Sequence, residues 1–72
     1  MTEEQLQFAL KVATLLNDLH SLPMHESFVR MYPRELLEEQ LQMVLSRPNI
    51  ANKGAYYRTV VKSHARARNT GY

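Results

Sequence analysis

The stretch HSLPMHESFVRMYP, residues 20–33, decides how this chain folds, because it carries two of the three prolines between segments that otherwise read as continuous helix. Pro23 cannot sit in a helix interior, and Pro33 disfavours the helical conformation at Tyr32 before it. Only a short helix fits between them. It spans residues 23–31, with Ser21 or Pro23 at its entry and Met24, Phe28 and Met31 at the 3–4 spacing of a buried side.

Upstream, Leu6, Phe8, Leu10, Val12, Ala13, Leu15, Leu16 and Leu19 cover most of a helical circumference, leaving Gln7, Lys11, Thr14 and Asp18 as a polar stripe. This predicts a largely buried helix over 3–20. Thr2 and Gln5 have the spacing of a capping box, with Glu3 and Glu4 near the positive end of the helix dipole. Downstream of Pro33, Leu37, Leu41, Val44 and Leu45 point inward and Glu35, Glu38, Glu39 and Gln42 outward, giving a helix over 34–46. Pro48 ends it. After the loop RPNIAN, Asn52 is a good cap for a fourth helix over 53–67, with fraying over 68–72. No segment alternates as a strand would. The expected fold is all-α, one domain over 1–72, a small compact bundle of about four short helices joined by short connections.

A chain of 72 residues buries only about 60% of the surface it exposes when unfolded, so its core is thin. There is no cysteine, which excludes disulfides and thiolate metal sites. The apolar runs are far below the ~20 residues that cross a bilayer, and the first residues, MTEEQLQF, are acidic where a signal peptide is basic. A cytoplasmic protein without membrane contact is expected. Charge is divided unevenly: residues 1–36 hold three basic and five acidic side chains, residues 37–72 six basic and two acidic. From Arg47 onward there are six Lys and Arg and no Asp or Glu, the pattern of a segment that meets a polyanion.

Projected at 100° per residue, the fourth helix gathers Tyr57, Val60, Val61 and His64 on one side, flanked by Tyr56 and Ala67. Arg58, Lys62 and Arg66 stack at i, i+4 and i+8 on the other. With Lys53 they form the candidate nucleic-acid site, DNA being favoured, and small Ala55, Thr59 and Ala65 beside them allow close approach of a backbone. The first turn admits two readings. Its free N–H groups, Gly54 and Lys53 suit a phosphate, or Asn52 caps and Gly54 only tolerates the entry. The third and fourth helices read as a helix-turn-helix variant with a longer turn.

The segment YPRELLEEQLQMVLSRPNIANKGAYYRTVVKS resembles tail modules of bacterial, plasmid and phage replication proteins, including primosomal helicase-loader modules. Pro33, Leu37, Leu41, Asn52, Ala55, Tyr56, Val60, Val61 and Lys62 carry the resemblance. Lys53-Gly54 replaces the Asn-Pro common there, and residues 1–31 have no counterpart. The resemblance implies contact with DNA during replication.

Enzyme chemistry is not expected. His20 and His25 stand five residues apart across Pro23 and His64 is remote, so no metal-ligand spacing arises. Glu38 and Glu39 face different ways, Ser27 beside His25 and Glu26 is adjacency and no triad, and no cofactor is expected. The rival reading is a protein-interaction module, in which Met24, Met31 and Met43 line an adaptable groove or the first helix forms a homodimer. The basic face then meets an acidic protein surface.

Overall fold

The computed structural model describes residues 1–69, with side chains up to residue 67. It contains four α-helices, α1 (Glu3–Leu15), α2 (Leu22–Met31), α3 (Arg34–Leu45) and α4 (Lys53–Asn69), with a single 3-10 turn at Leu19–Ser21 before α2. Among the described residues there is no strand. The all-α bundle is the fold the sequence predicts.

The start of α1 follows its capping box. The Gln5 amide donates to Thr2 Oγ1 at 3.1 Å and the Thr2 amide donates to Gln5 Oε1 at 2.9 Å, which satisfies donors that helix geometry leaves free. Its end differs from expectation. The helix stops at Leu15, well short of His20, because Asn17 takes a left-handed conformation with φ 54°. The Asn17 amide donates to Thr14 O and the Asp18 amide to Ala13 O, the paired bonds of a Schellman motif. Asparagine tolerates this backbone better than other non-glycine residues.

The three remaining helices begin and end near their punctuation. Pro23 sits in the first turn of α2, and Tyr32, extended at φ −120° and ψ 151°, closes it ahead of Pro33. Pro33 is the N-cap of α3. Asn52 Oδ1 accepts from the Ala55 amide at 3.1 Å and caps α4. The last helix continues to Asn69, past the expected end at residue 67, while the remainder of the expected frayed tail, residues 70–72, lies outside the described residues.

Packing joins α1 mainly to α2 and α3 mainly to α4. One cluster runs through all four helices: Phe8, Val12, Leu16, Phe28, Leu37, Leu41, Val44, Tyr57 and Val61. At its centre Phe28 meets Tyr32 edge-on with ring centroids 5.3 Å apart and Tyr57 at 6.2 Å. The molecule measures 35 × 33 × 16 Å, so it is about as thick as two helices and each helix has only one covered side.

That thinness overturns several burial expectations. The first helix is not largely buried: Leu6, Leu10 and Leu15 are exposed, as is Leu19 beyond it. Ala9 and Ala13 are covered instead. On α2 the buried pair is His25 and Phe28, while Met31 is 66% exposed. Leu36 and Gln40 join Leu37, Leu41 and Val44 in the buried face of α3, and Leu45 is half-buried. His64 is exposed because α4 runs past the end of the core; its Nδ1 donates to Val60 O at 2.9 Å.

Candidate nucleic-acid interface

The site is positioned by the buried side of α4. Gly54, Tyr57 and Val61 are buried, and Val60 and Tyr56 are half-buried against the core. These contacts fix the rotation of the helix about its axis, so residues on the opposite side must face solvent. Lys62 and Arg66 are exposed there, together with Ala55, Thr59 and Ser63, and Arg58 is exposed at the edge of this face, where it also lines a depression with Asp18, His20 and Gly54.

Arg58, Thr59, Lys62, Ser63 and Arg66 line one shallow surface depression. Steps of four residues advance about 6 Å along the axis, so the three cations span about 12 Å. Over that distance duplex DNA presents about seven phosphate charges, one per ~1.7 Å. The stripe can therefore be matched without bending the duplex. The Thr59 hydroxyl donates back to Ala55 O at 3.1 Å, leaving its two acceptor lone pairs and the Ser63 hydroxyl as the neutral groups of the face. Among the described residues no carboxylate forms an ion pair with Arg58 or Lys62.

The structure does not bring Lys53 to this face. It is half-buried and lines a separate depression with Leu16, Asn17, His20, Ile50, Ala51 and Asn52. From the other three cations it is roughly 140–180° around the helix. The four residues singled out in the sequence thus divide into a set of three and one apart.

The phosphate site at the first turn is taken by the chain itself. Gly54 is packed against the Asp18 carboxylate so closely that a Cβ there would run into it. Asp18 is 5% exposed. Its Oδ2 accepts from His25 Nε2 at 2.9 Å and its Oδ1 accepts from His20 Nε2 at 3.1 Å. A carboxylate beside the N-terminus of α4 is favourably placed in the helix dipole, and glycine is the residue that lets it approach. Of the two readings of the first turn, the Asn52 cap is present, and Gly54 does more than tolerate the entry: it permits a close approach, to the internal Asp18 carboxylate.

Sequence reasoning missed this Asp18–His20–His25 group. Its members come from the turn after α1, the 3-10 turn and α2, and only the fold unites them. The visible signal was Asn17, whose left-handed backbone turns Asp18 off the α1 polar stripe and inward. His25 is 1% exposed, its ring is 5.7 Å from that of Tyr57, and its buried Nδ1 has no hydrogen-bond partner. Burial also pushes the Tyr57 hydroxyl pKa well above its ordinary value. Among the described residues no three His, Asp or Glu side chains are arranged to hold a metal ion, and no helix is long and apolar enough to cross a membrane.

Of the methionines expected to form a groove, Met24 and Met43 pack against the core and only Met31 stands out to solvent. The connection between α3 and α4 runs from Ser46 to Asn52, longer than the three or four residues of a standard helix-turn-helix. No family model, curated protein or solved structure matches the chain.

Proposed function

We propose that this chain is a small duplex-DNA-binding domain that lays the outer face of α4 along the phosphate backbone. The observation that carries the reading is the exposed row of Arg58, Lys62 and Arg66 on a helix with no acidic residue. Such a row is an electrostatic footprint that gives affinity and little base discrimination. The resemblance of the second half to replication-protein tails favours DNA and a role in replication.

A labelled random duplex tests it. With three phosphate contacts, affinity should fall with a log–log salt slope of about −2.7, a loss of about fortyfold between about 50 and 200 mM salt. Lys62→Ala should bring the slope to about −1.8, whereas Arg30→Ala, an exposed cation on α2, should leave it unchanged. Equal effects of the two substitutions, or no binding at low salt, would remove the reading. The rival, a protein-interaction module, is favoured by a different observation, the row of exposed leucines on α1.

A further inference from the structure

Arg58, Lys62 and Arg66 belong to one i, i+4 row of α4, and the step before Arg58 in that row is Gly54. Glycine has no side chain to offer there. Its place is filled from outside the helix: the Asp18 carboxylate packs on Gly54, and His20 Nε2 donates to Asp18 Oδ1 at 3.1 Å. The His20 side chain is 81% exposed, whereas Asp18 is buried. What solvent meets at this end of the row is therefore an imidazole. His20 and Arg58 line the same depression, of about 110 Å³, together with Asp18, Ser21, Asn52 and Gly54.

His20 can serve an anion in only one of its protonation states. A carboxylate accepts and does not donate, so His20 Nε2 carries a proton whenever its bond to Asp18 is made. In the neutral ring Nδ1 is then a bare acceptor, which repels a phosphate oxygen; in the imidazolium it is a second donor and the ring is charged. The charged and titratable groups around His20 are Asp18, His25 on the other oxygen of that carboxylate, Arg58 of α4, and Lys53 of α4 in the depression on the other side. His25 is buried and presents nothing to a ligand. While His20 is neutral, Asp18 and Arg58 offset each other in the depression they share; a proton on His20 leaves it with one positive charge. Histidine is the side chain that changes charge between about pH 5 and 8.

We infer that His20 is a further phosphate contact of the α4 row, engaged only as the imidazolium, so that duplex binding tightens as pH falls. The inference rests on the DNA reading of α4 and adds to it a fourth contact at the Gly54 end, about 6 Å beyond Arg58 along the row. Beside it the Ser21 hydroxyl and Asn52 Nδ2 are neutral donors, the Asn52 Oδ1 being engaged by the Ala55 amide.

The test is the salt dependence of duplex affinity at about pH 8 and about pH 5.5, with circular dichroism recorded at both to follow the fold. The log–log slope should be about −2.7 at the higher pH and about −3.6 at the lower, where binding in about 50 mM salt should be severalfold tighter. His20→Gln should hold the slope at about −2.7 at both. His64→Gln, an exposed histidine about 120–160° around α4 from the row, should leave the pH difference intact. His20→Arg, whose charge is permanent, should give about −3.6 already at about pH 8, which tests the position without acid. A parent slope equal at both pH values, a pH difference that survives His20→Gln, or a His20→Arg slope no steeper than the parent's overturns the inference and leaves the α4 row standing. No binding at either pH, or a slope unmoved by Lys62→Ala, removes the DNA reading and the inference with it.

Discussion

Replacing Gly54 by alanine should destabilise the protein, against what helix propensity alone requires. Exchanging glycine for alanine inside a helix ordinarily stabilises by up to about 1 kcal/mol, and less in the first turn. Here the new methyl group meets Cγ and both oxygens of Asp18. Overpacking a site that cannot yield costs about 1–3 kcal/mol. Asp18 cannot yield easily, because moving it lengthens its bonds to His25 and His20. Losing the buried partner altogether sets an upper bound of about 3–5 kcal/mol. The expected net loss is about 1–2 kcal/mol, which lowers the melting temperature of a domain this small by roughly 5–15 °C. The assay is urea denaturation of a double-mutant cycle, with a stabilising osmolyte so that Asp18→Ala stays folded. In the Asp18→Ala background the obstruction is gone, and Gly54→Ala should be neutral or stabilising by up to about 1 kcal/mol. A Gly54→Ala protein more stable than the parent, or one with equal effects in both backgrounds, would refute the packing of α4 on Asp18.

Leu41→Ala, at 1% exposure in the centre of the cluster, should cost about 2–5 kcal/mol, much of what so small a core supplies; thermal denaturation reads the loss. Tyr57→Phe should alter the alkaline limb of the stability profile. Burial raises the Tyr57 pKa in the folded state, so the unfolded chain releases this proton first, near its ordinary value of about 10. The contribution is complete below about pH 10 and lost above it, by up to about 1.4 kcal/mol per pH unit. The phenylalanine protein should therefore lose less stability between about pH 10 and 11 than the parent, as followed by denaturant titration; identical alkaline limbs would show the hydroxyl to be solvated.

Much of this fold is written in local chemistry. Thr2 with Gln5, Asn52, Pro23, Pro33 and Pro48 mark helix boundaries because caps and prolines act within one turn of themselves. The end of α1 was not legible, since apolar residues continue at helical spacing through Leu19 and the break depends on one left-handed asparagine. Burial was less legible than helicity. Leu6 and Leu10 look like core residues, and whether they are depends on how many layers cover the helix, which is a property of the assembly of helices and not of α1. His25 takes the buried side of α2 in place of Met31 because a carboxylate seven residues earlier accepts a hydrogen bond from its Nε2. At the candidate site, periodicity correctly aligned Arg58, Lys62 and Arg66. It could not assign Lys53, which lies at the cap, where the packing of α4 against residues 16–20 determines what is left exposed.

The proposed interface is tested most directly by its footprint. Amide chemical shifts of the isotope-labelled chain, followed as a short duplex is added at low salt, report which face meets DNA. The account predicts changes concentrated on Arg58, Thr59, Lys62, Ser63 and Arg66, little change at Lys53, and none along the Leu6–Leu10 ridge. Changes centred on α1 or spread evenly over every Lys and Arg, with the α4 face no more affected than Arg30 or Arg47, would contradict it.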